Sequence, residues 1–201
     1  MKAIKIGSDD FTNISMIKKF SETKLPIIVS CGMSDLDEIR TTISEINNKS
    51  AYPLILMFTT SQYPVPDVDV NMLKLKTIRD EFSDIILGYS DHTQGSIAST
   101  LANTLGAKVF EKHFTIDKNL PGPDHWFSAS PDELEEWNKS IKRSWIMLGN
   151  NEVKPTVNEL KNKKAFRRKL VALKNIEKGD KFSEDIIGMR RTKNESSFLD
   201  I

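Results

Sequence analysis

Apolar residues in the first 150 positions follow a repeating order, in which a short apolar run precedes a longer stretch with apolar residues three or four positions apart. The short runs predict strands, and the longer stretches predict amphipathic helices after each strand. The predicted strands are Lys2–Ile6, Pro26–Val29, Leu54–Phe58, Ile85–Gly88 and Ala107–Phe110. Asn13 and Ser34 are predicted N-caps, and Pro131 suits a first helical turn. Strands that are apolar throughout and alternate with helices predict an α/β fold with a parallel sheet.

Two architectures fit five strand–helix units. A five-stranded doubly wound sheet would be complete, whereas a (β/α)8 TIM barrel needs three more units. Polar residues follow the C-terminal end of every predicted strand, namely Ser8, Ser30, Ser61 with Tyr63, Ser90 with His92, and Glu111 with His113. A doubly wound sheet gathers ligand groups at one crevice, while a barrel collects them from all strand ends around one mouth. We therefore predict a partial barrel, about strands four to eight, and keep the doubly wound sheet as the alternative.

The composition changes after residue 149. Residues 150–164 are rich in Asn, Lys and Glu and predict a linker. A strand-like segment at Lys169–Leu173, a charged turn at Lys174–Lys181 and a further packed segment from Phe182 to Met189 then predict a small second domain over residues 165–201. The predicted organisation is a barrel portion over 1–149, a linker over 150–164 and a second domain over 165–201.

Composition narrows the possible functions. The 29 Lys and Arg residues nearly cancel the 28 Asp and Glu residues, so no overall field favours nucleic acid or a membrane surface. A single cysteine, Cys31, excludes an internal disulfide, and we expect a small buried thiol there rather than a nucleophile. No signal peptide or bilayer-spanning apolar run is recognisable, which favours a cytoplasmic location.

All three histidines of the chain lie between Tyr89 and Ser128. Side chains alternate faces along a strand, so His92 shares a face with Ser90, and His113 shares one with Glu111. Adjacent parallel strands would bring the two imidazoles together, and such a pair can bind a divalent metal while leaving positions for substrate oxygens. A hydrogen-bonded structural histidine is the alternative at each position. Two lysines, Lys5 and Lys112, lie at the predicted strand ends. We expect Lys5 to face the mouth of the site and Lys112 to point away from it.

Six ordered motifs carry a resemblance to a known family: Lys5–Ser8, Ser30–Met33, Thr60–Pro64, Ser90–Thr93, Glu111–Thr115 and Pro121–His125. Together they resemble the N-acetylneuraminate (sialic acid) synthase family, from Lys5 to about Arg191. The resemblance implies a (β/α)8 barrel followed by a small antifreeze-like (SAF) domain, of which residues 165–201 would be the truncated start. It also implies a transferase of sialic acid biosynthesis, and a homodimer as the complete enzyme.

Members of that family condense phosphoenolpyruvate with an N-acetylated amino sugar, such as N-acetylmannosamine, to a nine-carbon ulosonic acid with release of phosphate. The resemblance implies a divalent metal, Mn²⁺ or Mg²⁺, with His92 and His113 as its ligands, and we predict Glu111 as a further catalytic residue. The positions that match substrate-binding residues are Lys5, Ser8, Ser30, Ser61, Tyr63, Ser90, Asp124 and Arg191. Ser61 stands where some members have asparagine, and Thr192 follows Arg191 where proline is usual.

The resemblance also implies that three barrel units, with the family's general base glutamate and a further phosphate-binding lysine, lie upstream of Met1. We therefore expect this chain alone to lack synthase activity and to self-associate through unpaired edge strands. Legionaminic and pseudaminic acid synthases share these motifs, so the acceptor sugar stays open. Another metal-dependent barrel aldolase or lyase, and a non-catalytic truncated product, are the remaining alternatives.

Overall fold

The computed structural model describes residues 2–47 and 53–192, and the chain divides into two compact units, residues 1–149 and 150–201. The first unit has five strands: β1 (Ile4–Ile6), β2 (Ile27–Ser30), β3 (Leu54–Phe58), β4 (Ile86–Asp91) and β5 (Val109–Lys112). Its α-helices are α1 (Ile14–Ser21), α2 (Leu36–Asn47), α3 (Asp67–Val70), α4 (Leu73–Glu81), α5 (Ile97–Thr104) and α6 (Pro131–Leu148). A 3₁₀ turn, Ser8–Asp10, follows β1. Among the described residues, no helix is both long and apolar enough to cross a bilayer.

The five strands form one sheet in the order β1-β2-β3-β4-β5, and every neighbouring pair is parallel. A doubly wound sheet would reverse its strand order at a switch point, and this sheet does not. The strands instead follow one another around a curled sheet, which is the arrangement of a partial TIM barrel. The predicted half-barrel is confirmed and the doubly wound alternative is wrong.

Strand alternation separates the core from the site. Ile4 and Ile6 of β1 are buried, while Lys5 between them is exposed. The buried face of the sheet packs against the helices through fully buried side chains such as Leu56 on β3 and Ile17 on α1. On the opposite face Lys5, Ser90 and Glu111 lie among apolar residues such as Ile28 and Met57, and the polar groups of the site lie at the C-terminal strand ends.

Side-chain caps fix three helix starts in the first unit. Asn13 accepts a hydrogen bond from the backbone of Met16, and Ser130 forms a capping box with Glu133 before Pro131 at the first turn. The predicted cap Ser34 is wrong. Asp35 caps α2 instead, because its Oδ1 accepts from the backbone N–H of Glu38 (2.9 Å) while Glu38 Oε2 accepts from the backbone N–H of Asp35 (3.0 Å).

The second unit contains helix α7 (Val157–Phe166) and an antiparallel pair, β6 (Lys169–Ala172) and β7 (Ile187–Arg190). Thr156 and Glu159 form a capping box at the start of α7. The range predicted as a linker therefore contains most of a helix, whose residues are all exposed. Positions 193–201 of the predicted second domain lie outside the described residues.

Candidate active site

The centre of the candidate site lies at the C-terminal ends of β4 and β5. Ser90 and Glu111 are register partners on these strands, and Ser90 Oγ donates to Glu111 Oε1 at 2.7 Å. His92 and His113 follow two positions later, with their ring centroids 5.2 Å apart. The four side chains predicted to share this face are therefore brought together.

The hydrogen bonds of His92 define its tautomer. Nδ1 lies 2.8 Å from the carbonyl oxygen of Thr60, which can only accept, so Nδ1 carries the proton. Nε2 lies 3.3 Å from Ser90 Oγ, but the Ser90 proton already goes to Glu111. Burial is the main reason that the pKa of His92 is lowered. His92 is therefore a neutral imidazole whose Nε2 lone pair is available.

Aromatic rings flank the two histidines. The ring of Tyr63 lies 4.4 Å from that of His92 and 5.4 Å from that of His113, and Phe127 lies 5.0 Å from His113. Burial, followed by the charges of nearby carboxylates, raises the pKa of Tyr63, so its phenol keeps its proton at neutral pH. Tyr63 can thus donate a hydrogen bond at the mouth of the site.

Lys5 supplies the positive charge of the site. Its Nζ donates to Ser30 Oγ at 2.9 Å and to the backbone oxygen of Ile6 at 3.2 Å, and it lies 3.6 Å from Glu111 Oε2. These contacts connect β1, β2 and β5 across the open face of the sheet. The Lys5 side chain is 34% exposed, so its ammonium can reach a ligand at the mouth.

Two further predicted residues, Ser8 and Ser61, meet at Gly32 after β2. The backbone N–H of Gly32 donates to Ser8 Oγ at 3.0 Å. A Cβ added at Gly32 would lie 2.3 Å from Ser61 Oγ, 2.7 Å from Ser8 Oγ and 2.8 Å from the Thr59 methyl carbon. Because Gly32 has no Cβ, the hydroxyls of Ser8 and Ser61 and the methyl carbon of Thr59 can lie close to its backbone at this end of the sheet.

The segment between β5 and α6 places Asp124 beside His113. Asp124 Oδ2 lies 3.9 Å from His113 Nδ1, and the Asp124 side chain is 58% exposed. The backbone oxygen of Asp124 accepts from Ser128 Oγ at 2.6 Å, while His125 Nδ1 lies 2.8 Å from Thr115 Oγ1. His125 therefore contacts the loop itself, and the Asp124 carboxylate beside His113 is accessible to solvent.

Arg191 lies in the second unit, where its guanidinium carbon is 5.8 Å from the centre of the Phe166 ring. Its predicted substrate contact stays a prediction. The sequence analysis did not predict Gly32, Thr59, Thr60 or Phe127 as site residues. Thr59 and Thr60 directly follow a predicted strand, which is a usable signal, whereas Phe127 lies in a long loop that has no periodic pattern.

The donor set partly fits a divalent metal. His92 has a free Nε2 and a backbone carbonyl that orients its other ring nitrogen, which is the usual support for a metal-binding imidazole. His113 is its neighbour, and no cluster of three or more His, Cys, Asp or Glu residues that could hold a metal occurs in the described ranges. The described residues therefore offer two candidate nitrogen ligands, whereas catalytic zinc sites have three protein ligands and one open position.

Comparison with known proteins identifies the family. Residues 1–153 match the NeuB family. The chain belongs to the NeuB family. This NeuB-family chain is 42% identical over 196 residues to N,N'-diacetyllegionaminic acid synthase of Legionella pneumophila, covering 94% of the chain and 54% of that protein. It is 33% identical over 183 residues to pseudaminic acid synthase of Helicobacter pylori, covering 91% of the chain and 54% of that protein.

A solved structure supports the same assignment. The crystal structure of N-acetylneuraminic acid (sialic acid) synthetase from Leptospira borgpetersenii, in complex with citrate, matches the NeuB-family chain with a TM-score of 0.74 and 32% identity. The match covers 81% of this chain and 56% of that one. The resemblance found in the motifs is confirmed, and the chain spans about half the length of the curated relatives it matches.

Proposed function

We propose that a protein carrying this chain condenses phosphoenolpyruvate with an N-acetylated amino sugar to a nine-carbon ulosonic acid and releases phosphate. One observation supports this most strongly: Lys5, Ser30, Ser90, Glu111 and His92 form one connected polar network at the C-terminal end of the half-barrel. That is the end where TIM barrels have their active sites. The relatives that the chain matches are named as synthases of sialic, legionaminic and pseudaminic acids.

The anion would bind on the β1–β3 side of the site. The Lys5 ammonium and the hydroxyls of Ser8, Ser30 and Ser61 are the hydrogen-bond donors there that suit phosphate or carboxylate oxygens. Lys5 Nζ lies 3.6 Å from Glu111 Oε2. An anion bound at Lys5 would therefore lie near Ser90 and Glu111.

The acceptor sugar would bind on the β4–β5 side. Tyr63 offers a protonated phenol, and Asp124 offers a carboxylate that suits a sugar hydroxyl. His92 and His113 would hold Mn²⁺ or Mg²⁺, which supplies Lewis-acid polarisation of the aldehyde oxygen when bound. On this side the ring of Phe127 lies beside the rings of Tyr63 and His113.

Glu111 would orient two neighbouring donor groups and would also take part in catalysis through its carboxylate. Its two oxygens engage Ser90 and Lys5, so one carboxylate sets the direction of a hydroxyl donor and of an ammonium. A carboxylate between two donors can accept a proton from a bound group without moving far. We propose that Glu111, His92 and His113 are the catalytic residues of this chain.

Because the chain spans about half of its relatives, these activities are proposed for the residues as part of a complete synthase barrel. Edge strands β1 and β5 each have one neighbour within the described sheet. We therefore also propose that the chain alone is inactive and self-associates. From the family resemblance we propose that the complete enzyme is a homodimer and that Arg191 contacts the substrate. We also propose a cytoplasmic location.

The test measures phosphate release from phosphoenolpyruvate by a complete synthase that carries this sequence, with N-acetylmannosamine and other N-acetylated amino sugars as acceptors. Release that depends on both substrates is expected. Condensation without phosphate release would favour another metal-dependent barrel aldolase, and no turnover with any acceptor would contradict the proposal.

The metal role is tested separately by calorimetry with Mn²⁺. His92→Ala and His113→Ala should each weaken Mn²⁺ binding, because each removes one of two neighbouring nitrogen ligands. His125→Ala is the matched control, since His125 contacts Thr115 rather than the histidine pair. Unchanged Mn²⁺ affinity in both variants would remove the proposed metal role.

A further inference from the structure

A second polar cluster lies behind the candidate site, on the helix-covered face of the sheet. Asp91 and Lys112 are register partners on β4 and β5, and Lys112 Nζ lies 3.2 Å from Asp91 Oδ2. The Asp91 side chain is 0% exposed and the Lys112 side chain is 8% exposed. This buried ion pair is the back-face pair, and Lys112 points away from the mouth as predicted.

Hydrogen bonds connect the back-face pair to Thr93 after β4 and to helices α5 and α6. Asp91 Oδ1 accepts from the backbone N–H (2.9 Å) and hydroxyl (2.7 Å) of Thr93, and Oδ2 accepts from Ser99 Oγ (2.5 Å) and Trp137 Nε1 (3.1 Å). Lys112 Nζ also donates to the backbone oxygen of Thr93 at 2.8 Å. The carboxylate thus connects the ends of β4 and β5 with helices α5 and α6.

The pair sits between residues of the site in the sequence. Ser90 and His92 flank Asp91, and Glu111 and His113 flank Lys112. Since side chains alternate along a strand, holding the central residue on the back face turns both of its neighbours toward the site. A shift of one residue in either strand would exchange the two faces.

Stability alone does not account for a charge pair at this position. Apolar residues of similar volume often stabilise a protein as well as a buried ion pair does, because the charges must be desolvated. A buried pair does select one arrangement, since any other would leave a charge without its partner. Every buried side-chain polar atom among residues 2–46 and 53–192 has a hydrogen-bond partner, so none of the buried polar groups of the back-face pair is unsatisfied.

We infer that Asp91 and Lys112 are positioning residues, which hold Ser90, His92, Glu111 and His113 in register from the opposite face of the sheet. They touch neither substrate nor reacting atoms. The inference deepens the proposed synthase function and rests on it for the kinetic measurement. A misplacement of about 1 Å at a reacting group can cost about 100-fold in rate, which sets the expected size of the effect.

The deciding variant is Asp91→Asn with Lys112→Met in a complete synthase that carries this sequence. The asparagine oxygen can still accept from Thr93, its amide can donate to Ser99, and Trp137 Nε1 retains Ser99 Oγ at 2.8 Å. We therefore expect the variant to unfold cooperatively, at a denaturant midpoint lowered by loss of the bonds from Trp137 to residue 91 and from Lys112 to the Thr93 carbonyl. We expect kcat to fall about 100-fold, with a smaller change in the KM for phosphoenolpyruvate, because Lys5 and Ser30 lie on other strands.

A second readout does not need activity. Imidazole ¹H–¹⁵N spectra of the metal-free protein report ring environment and tautomer, and His92→Ala and His113→Ala assign the signals. The double variant should shift the His92 and His113 signals and leave that of His125 in place. Lys18→Met with Glu45→Gln is the matched control, since that ion pair (2.9 Å) joins α1 to α2 and is partly exposed.

If the double variant does not fold, Ser99→Ala decides, because it removes one bond to Asp91 without changing a charge. Shifted His92 and His113 signals in a folded variant would support positioning. Wild-type spectra and wild-type kcat in the folded variants would overturn it. Absence of phosphate release by the wild-type protein would refute the proposed function, while the spectra would still test the positioning role.

Discussion

The substitution Gly32→Ala tests the close approach of strand ends on the anion side of the site. The new Cβ would lie 2.3 Å from Ser61 Oγ, 2.7 Å from Ser8 Oγ and 2.8 Å from the methyl carbon of Thr59. The two serine hydroxyls can turn away about their χ1 bonds. Thr59 cannot turn easily, because its Oγ1 donates to the backbone oxygen of Ser90 at 2.9 Å.

The expected magnitude follows from these contacts. Overpacking of this kind costs about 1–3 kcal/mol of unfolding free energy. If Ser8 turns, the hydrogen bond from the Gly32 N–H is also lost, which costs about 0.5–1.5 kcal/mol. Since Ser8 and Ser61 are proposed anion contacts, about 1.4 kcal/mol lost at that site would weaken phosphoenolpyruvate binding about tenfold.

The assay compares the denaturant midpoint and the KM for phosphoenolpyruvate between Gly32→Ala and a matched control. Gly7→Ala is that control, because no atom lies within 4 Å of its added Cβ and its φ of −73° suits any residue. Adding Ser61→Gly to Gly32→Ala removes the shortest contact and should restore part of the lost stability, while the proposed anion contact of Ser61 stays absent. A Gly32→Ala variant with wild-type stability and wild-type KM would refute the close-approach reasoning.

Three further outcomes are expected. Lys5→Met should raise the KM for phosphoenolpyruvate about 10- to 100-fold and that of the sugar much less, since hydrogen bonds to charged groups contribute about 1.5–3 kcal/mol; equal effects in steady-state kinetics would make Lys5 structural. Cys31 should resist iodoacetamide at pH 8 until the protein unfolds, because burial raises its pKa to about 12 and keeps the thiol protonated; rapid native labelling by mass spectrometry would contradict this. Ser130→Ala should lower the unfolding free energy by about 1 kcal/mol through loss of the α6 cap, whereas Ser140→Ala, a half-buried position within the same helix that caps no helix end, should change it little.

The sequence was sufficient for those features that depend on local patterns. Apolar runs located all five strands of the parallel sheet to within a few residues. The start of α1 was recognisable from Asn13, and that of α6 from Ser130–Pro131. The predicted Ser34 cap was wrong, because Asp35 and Glu38 satisfy each other's backbone N–H groups one position further along, at the spacing of a capping box. Helix α7 was not predicted, since its residues are exposed and have no apolar face.

The site was predictable as a set of side chains at strand ends, but its internal contacts were not. The Thr60 carbonyl that fixes the His92 tautomer is a backbone group, and any residue type could provide it. Phe127 contacts His113 only because a long loop returns to the strand ends. Neither contact leaves a mark on residue type or spacing.

The sequence by itself determined which residues belong to strands, which side chains share a face, and which family the motifs resemble, because these follow from periods of two and of about 3.6 residues and from ordered residue types. Only the tertiary structure decided that the strands run in sequential order as a half-barrel, that Lys5 reaches Ser30 and Glu111, and that Asp91 joins Lys112, Ser99 and Trp137. Those pairings span from 8 to 106 positions along the chain. They depend on the register between strands and on helix packing, which a local pattern does not contain.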